Sequence, residues 1–151
     1  MTTKYFFNRP KIIVTAAVLL CMVLTACARQ PVYPAPAVLN DHAVVKVEEL
    51  GQGVPKFFTY QHEGRNVSFF AMKQNDKVLS FLDACASCFQ HKRGYRYDDA
   101  VVTCRYCNME FPVQRLEKGL GSCYPIRIQG RVEGGRYLIP LAVLAAAADK
   151  F

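Results

Sequence analysis

The chain has 151 residues, 52% of them hydrophobic and 21% charged, and 19 basic against 12 acidic residues give a formal net charge of +7. Three basic residues, Lys4, Arg9 and Lys11, lie before residue 12, so the chain without its first 26 residues has a net charge of about +4. This charge is mild and evenly spread, which argues against a protein that binds nucleic acid. We therefore predict no nucleic-acid partner.

The first 26 residues have the pattern of an export signal. A short basic segment that ends at Lys11 is followed by an apolar or weakly polar run over residues 12–24. A membrane-spanning helix needs about 20 apolar residues, so this run is short for a span. We predict a cleaved signal peptide over residues 1–26, with an uncleaved anchor helix as the alternative.

The end of the apolar run resembles the lipobox of bacterial lipoproteins. Leu24, Thr25 and Ala26 precede Cys27, and in lipoproteins the cysteine at this place is lipidated and becomes the first residue of the mature chain. We therefore predict lipidation of Cys27. The protein is then expected to be exported and anchored to a membrane by its lipid, facing the periplasm or the cell exterior.

Residues 27–40 contain three prolines, at positions 31, 34 and 36. Proline-rich segments favour extended, semi-rigid conformations, so this segment is predicted to be a tether between lipid and domain. The remaining residues, 41–151, fit one domain. A domain of this size can bury a small core, and a metal or a cross-link would add to its stability.

The first half of the domain has the pattern of an antiparallel β-meander. Short runs of β-branched and aromatic residues are separated by turn residues at intervals of about ten residues. These runs cover residues 42–50, 55–61, 67–73 and 77–85.

The second half continues the β pattern and ends in a helical one. Residues 100–104 and 109–113 flank the second cysteine pair, and residues 125–132 and 136–140 flank two adjacent glycines, as in a hairpin. The final run, 141–150, is rich in alanine and leucine and predicts a short helix. The expected fold is therefore mainly antiparallel β with one short C-terminal helix, a small domain built around metal knuckles.

Five of the seven cysteines lie in the domain, and four of them form two Cys-x-x-Cys pairs. Cys85 pairs with Cys88 and Cys104 with Cys107, with residues 89–103 between the pairs, and Cys123 follows. Four thiolates from two turns can surround one zinc ion at about 2.3 Å, and the same set suits iron or an iron–sulfur cluster. The spacing predicts a cysteine-ligated metal and leaves the metal open.

Other interpretations of these cysteines stay open. In an oxidising compartment cysteines commonly form disulfides, although an odd number leaves one thiol unpaired. A thiol–disulfide protein is therefore an alternative, and so is a structural zinc-ribbon-like module that binds a partner. His91, three residues after Cys88, is a weaker ligand candidate, because a histidine there is more often a loop residue. The sequence contains no recognisable catalytic set, and we do not expect an enzyme.

Four motifs together resemble the FtrD-like domain family, described as a membrane iron–sulfur-containing protein and associated with bacterial iron uptake. They are DACASC at 83–88, GYRY at 94–97, VVTCRYCNMEF at 101–111 and GLGSCYPI at 119–126. The resemblance covers roughly residues 45–145. It implies an iron or iron–sulfur centre with an electron-transfer or metal-handling role, iron-uptake membrane proteins as partners, and Cys123 as a fifth member of the metal site.

Two features of this chain depart from the family pattern. The last motif reads Gly-Ser-Cys-Tyr-Pro rather than Gly-Gly-Cys-Asn-Pro, and the predicted lipid stands where many relatives have a polytopic membrane region.

The predicted signal peptide lacks a twin-arginine pair, so we expect export as an unfolded chain. The metal would then be acquired outside the cytosol, which is easier for a single zinc or iron ion than for a preassembled cluster.

Overall fold

The computed structural model describes residues 30–151. The predicted signal peptide and the predicted lipidation of Cys27 lie outside these residues and stay predictions. The described part contains β1 Ala37–Leu39, β2 His42–Lys46, β3 Lys56–His62, β4 Arg65–Gln74, β5 Lys77–Cys85, β6 Tyr95–Asp98, β7 Val101–Cys104, β8 Glu110–Pro112, β9 Pro125–Ile128, β10 Arg131–Glu133, β11 Arg136–Pro140 and the helix α1 Leu141–Ala146. The prediction of a mainly antiparallel β fold with one short C-terminal helix is confirmed.

The strands form three antiparallel sheets. The central sheet has the order β3-β4-β5-β9, a second sheet has the order β1-β2-β11-β10, and a small third sheet has the order β6-β7-β8. Three of the four runs predicted as a meander correspond to β3, β4 and β5, which pair in sequence order. The first run, residues 42–50, does not join them, because β2 pairs with β1 and β11 in the second sheet.

Strands β4 and β5 are buried on both of their faces. Side chains along a strand point alternately to the two faces of its sheet, and here both faces are covered. Phe69 and Leu82 belong to one hydrophobic cluster, whereas Phe70 and Phe81 belong to another. Two-sided burial explains why these strands read as continuous apolar runs instead of alternating apolar and polar residues.

The first cluster lies between the central sheet, the second sheet and the C-terminal helix. Val45 of β2, Ile139 of β11, Leu144 of α1 and the terminal Phe151 all contribute to it. The helix begins directly after Pro140, whose fixed φ suits the residue that precedes a helix. The described residues of the first cluster are hydrophobic and include no cysteine.

The second cluster lies between the central sheet and the small third sheet. Phe70, Phe81 and Phe111 contribute large side chains, and Cys85 and Cys104 are buried in the same cluster. The cysteines therefore lie at the border of a hydrophobic core and not on an open loop.

Strand β6 was not among the strands predicted from the sequence. Arg96 is exposed and Tyr95 is fully buried on the same strand. A tight turn at Asp99 and Ala100, both at positive φ (45° and 63°), joins β6 to β7. Two such residues match the twist of paired strands, yet neither is the glycine that makes this turn recognisable in sequence.

Residues 30–36, which belong to the predicted tether, lie along the domain. The Gln30 side chain donates hydrogen bonds to the backbone oxygen and the carboxylate of Asp83, both at 2.8 Å. The Tyr33 ring stacks on Phe57 with 4.8 Å between centroids, and the Tyr33 amide donates to Thr59 Oγ1 at 2.9 Å. We call residues 30–36 the N-terminal strap. Among residues 30–151, the structure contains no helix with the length and apolar character of a membrane span.

Candidate metal centre

The first Cys-x-x-Cys pair is formed where β5 ends. Cys85 is the last residue of the strand, and the Cys88 amide donates a hydrogen bond to the Cys85 carbonyl at 3.0 Å. The His91 amide then donates to the Cys88 carbonyl, also at 3.0 Å. These bonds fold the chain back on itself, so both sulfurs point to the side of the second cluster.

The second pair is formed where β7 ends. The Asn108 amide donates to the Cys104 carbonyl, and the Cys104 amide donates to the Met109 carbonyl, both at 3.0 Å. Asn108 is left-handed, with φ of 58°, which asparagine tolerates better than most residues. The turn therefore holds Cys104 and Cys107 on the inner side.

A third turn carries Cys123. Leu120 and Cys123 exchange backbone hydrogen bonds of 2.8 and 3.0 Å. Two further bonds attach this turn to the first knuckle: the Ala86 amide donates to the Tyr124 carbonyl at 3.0 Å, and Ser87 Oγ donates to the Ser122 carbonyl at 2.6 Å. These bonds explain why a cysteine distant in sequence lies beside the two pairs.

The five cysteine sulfurs form two overlapping groups of three. The sulfurs of Cys85, Cys88 and Cys104 lie within 4.8 Å of one another, and so do those of Cys88, Cys107 and Cys123. Cys88 belongs to both groups, so all five form one continuous cluster, and all are free thiols. Every predicted cysteine of the domain is thus brought together, while their assignment as metal ligands stays a prediction.

The cluster has a buried end and an end near the surface. Cys85, Cys88 and Cys104 are at most 8% exposed, whereas Cys107 and Cys123 are half-buried. The neighbouring side chains Tyr106 and Tyr124 are nearly half exposed, at 47% and 45%. The surface-facing end is therefore flanked by accessible aromatic residues.

Burial and mutual contacts shift the thiol pKa values in both directions. Burial raises the pKa of Cys88, and hydrogen bonding to Cys107 raises it further. Burial also raises the pKa of Cys107, but hydrogen bonds from the Met109 amide and from neighbouring thiols outweigh it, so the pKa of Cys107 lies below its usual value. Metal binding needs thiolates, so a bound cation would have to favour deprotonation at the buried end.

Asp83 is a buried carboxylate that joins three segments around the cluster. It accepts a hydrogen bond from the Tyr95 amide at 2.6 Å and one from Gln30 at 2.8 Å. Burial raises the pKa of Asp83 to about 6. A Cβ at Gly94 would lie 2.6 Å from the Asp83 carboxylate, so glycine is required there for close approach. These contacts give a structural reason for Asp83 and Gly94 in the predicted motifs.

The donor set fits a metal that prefers sulfur. Neither group of three contains a carboxylate or a histidine, and soft thiolate ligands select zinc, copper(I) or iron–sulfur chemistry. The hydroxyl of Tyr95, which is fully buried beside the cysteines, has no hydrogen-bond partner among the described residues. An unpaired buried hydroxyl is rare in proteins and is consistent with a further group at this place.

The other ligand candidate, His91, is not brought into the cluster. His91 is exposed and stacks on Tyr106 with 3.5 Å between ring centroids, and it belongs to neither group of three. Met72 is fully buried in the core, and Met109 packs partly buried against the second cluster. The sequence placed Tyr95 in a motif without indicating its role, and it did not point to Gln30, since neither residue type signals a role near cysteines.

These features define a small antiparallel β domain whose thiol cluster, reaching from the core to the surface, is compatible with metal binding. A family model described as "Membrane iron-sulfur containing protein FtrD-like" matches residues 50–151. The chain belongs to this FtrD-like family, and the resemblance stated from its motifs is confirmed.

A crystal structure of the quaternary ammonium Rieske monooxygenase CntA in complex with an inhibitor is similar, at 15% sequence identity and a TM-score of 0.43. That similarity covers 78% of this chain, which spans 33% of the monooxygenase chain. No curated protein matches this chain.

Proposed function

We propose that the protein is a lipid-anchored iron or iron–sulfur protein that carries electrons in iron uptake, and that it is not a catalyst. The observation that carries this proposal is the cluster of five free thiols in two groups of three that share Cys88. Membership of a family described as membrane iron–sulfur proteins favours iron over zinc. Iron uptake as the setting follows from the resemblance.

The five cysteines would hold the centre from two sides. Cys85, Cys88 and Cys104 would bind it at the buried end, and Cys107 and Cys123 at the half-buried end. Bound iron would supply one-electron redox chemistry at this place. The apolar core on the buried side excludes water, and the accessible aromatic side chains on the other side bring a redox partner close to the sulfurs.

The predicted lipid would keep this centre close to a membrane. Gln30 is hydrogen-bonded to Asp83, only two residues before Cys85. The three residues from Cys27 to Gln30 can span at most about 10 Å. A lipid on Cys27 would therefore hold the cluster side of the domain near the membrane surface, where an iron-uptake membrane protein could exchange electrons with it.

Elemental analysis and voltammetry of the natively exported protein test the proposal. We expect stoichiometric iron and a reversible one-electron signal. A protein that carries stoichiometric zinc and gives no redox signal would be a structural zinc module, because zinc has no accessible redox change. Free-thiol counting after metal removal under non-reducing conditions tests the alternative of a thiol–disulfide protein. Such a protein would show fewer than five free thiols.

A further inference from the structure

We propose that the hydroxyl of Tyr95 donates a hydrogen bond to the Cys85 sulfur when that sulfur binds the metal, and that this bond sets the reduction potential of the centre. The inference rests on the proposed function for its redox part. It assigns a specific role to a residue outside the cysteine set.

The sheet register places Tyr95 beside two of the cysteines. Tyr95 lies directly opposite Cys104 in the pairing of β6 with β7, and opposed residues project from the same face of a sheet. The Tyr95 amide donates to Asp83, which lies two residues before Cys85 at the end of β5. Strand β7, with Cys104, and the end of β5, with Asp83 and Cys85, thus lie next to Tyr95.

The ring of Tyr95 is held firmly. It contacts Phe70 and Phe111 edge to face, with centroids 6.2 and 6.1 Å apart, and the residue is 0% exposed. A ring enclosed in this way cannot turn its hydroxyl to water. The hydroxyl must find a partner inside the protein or remain unpaired.

Two cysteines, Cys85 and Cys104, lie close enough to the hydroxyl to affect it. After burial, which has the largest effect, Cys85 and then Cys104 raise the pKa of Tyr95. The Cys85 thiol is in contact with the hydroxyl, but the hydroxyl makes no hydrogen bond of proper geometry within the described residues. A phenol donates one proton, and a neutral thiol is a weak acceptor, whereas a metal-bound thiolate is a much better one. The Cys85 sulfur therefore becomes a suitable acceptor for the hydroxyl when it binds the metal.

Such a bond has a definite electronic consequence. Hydrogen bonds to the sulfurs of an iron centre are among the factors that set its reduction potential. Reduction adds negative charge to the centre, and a donor that points at a ligand sulfur stabilises the reduced form more than the oxidised form. The Tyr95 hydroxyl therefore raises the potential.

The test compares Tyr95→Phe with Tyr97→Phe in the metal-loaded protein. Both changes remove one oxygen from the same strand, and Tyr97 packs against the same cluster but lies opposite Val102 instead of Cys104. Each potential is measured by optical titration with dithionite and mediators. Resonance Raman spectra in H2O and D2O report whether an exchangeable proton bonds to a ligand sulfur.

We expect a more negative potential and a smaller deuterium shift of the iron–thiolate bands in Tyr95→Phe, with Tyr97→Phe like wild type. If Tyr95→Phe keeps the wild-type potential and deuterium shift, the inference is wrong although the electron-carrier function stands. An equal shift of the reduction potential in both variants also overturns the inference, because the shift would then not come from the bond between Tyr95 and Cys85.

A second measurement does not require a redox-active metal. Within the described residues the hydroxyl makes no hydrogen bond of proper geometry, so Tyr95→Phe should fold as stably as wild type when no metal is bound. In competition with a chelator, the same variant should release its metal more readily, since a bonded thiolate has lost its donor. If the protein carries zinc, the proposed function fails, and unchanged zinc affinity in Tyr95→Phe would overturn this inference as well.

Discussion

Cys88 differs from the other four cysteines because its sulfur lies in both groups of three. Cys123 belongs to one group only and is half-buried, with its sulfur within 4.8 Å of the sulfurs of Cys88 and Cys107. The contribution of each cysteine to metal binding and stability should therefore depend on its position in the cluster and not on its position within a Cys-x-x-Cys pair.

We expect Cys88→Ser to lose more metal and more thermal stability than Cys123→Ser. Metal binding contributes about 10–16 kcal/mol to folding in small zinc domains, so loss of a shared ligand should unfold part of the site. Metal per protein and the melting temperature are measured for both variants. Equal metal loss in the two would show that Cys88 has no special place.

Gly94 and Gly64 offer a matched pair for the close approach at Asp83. Both have positive φ, 65° and 77°, but a Cβ at Gly94 meets the Asp83 carboxylate at 2.6 Å, whereas a Cβ at Gly64 meets nothing within 4 Å. We expect Gly64→Ala to lower the free energy of unfolding by about 1 kcal/mol, from backbone strain alone. Gly94→Ala should lower it by roughly 3 kcal/mol, because overpacking adds to the strain. Denaturant unfolding compares them, and similar values would remove the steric argument.

Strand β5 connects both hydrophobic clusters to the metal centre. Its alternating side chains contribute to both hydrophobic clusters, and its last residue is Cys85. The N-terminal strap covers the neighbouring part of the central sheet through Tyr33 and Gln30. The strap and β5 together connect the start of the described chain to the metal centre.

The strap should stabilise the domain through its tyrosine. Tyr33→Ala removes the stacking on Phe57, and an aromatic pair contributes about 0.5–1.5 kcal/mol beyond the buried area. We expect the free energy of unfolding to fall by at least this amount. Val32→Ala is the control, since Val32 is 66% exposed and exposed sites change stability by about 0.5 kcal/mol or less. A Tyr33→Ala protein as stable as the control would mean that the strap is held loosely.

Membrane attachment of the whole molecule depends on Cys27 in our proposal. Each buried methylene of an acyl chain contributes about 0.8 kcal/mol, so several chains would hold the domain firmly. Cys27→Ser should therefore leave the domain in the aqueous fraction or stall its processing. Cys21→Ser, within the same apolar run, is the matched control and should fractionate like wild type. A Cys27→Ser protein of normal mature size in the membrane fraction would contradict lipidation.

Local sequence patterns were sufficient for the β class, the C-terminal helix and the family. Turn residues and apolar runs located β3, β4 and β5 because they act over a few neighbouring residues. The two Cys-x-x-Cys pairs were recognisable for the same reason, since a single turn brings their members together. The family follows from the order of the motifs along the chain, which requires no three-dimensional information.

Tertiary structure alone decided the composition of the site. Cys123 reaches Cys88 and Cys107 because hydrogen bonds tie its turn to the first knuckle, and Tyr95 reaches the cysteines through the register of β6 with β7. Gln30 and Asp83 are separated by 53 positions in the chain, yet they share two hydrogen bonds. Contacts of this kind depend on how the sheets pack against each other. That packing cannot be recognised from the types and spacing of residues that are neighbours in the chain.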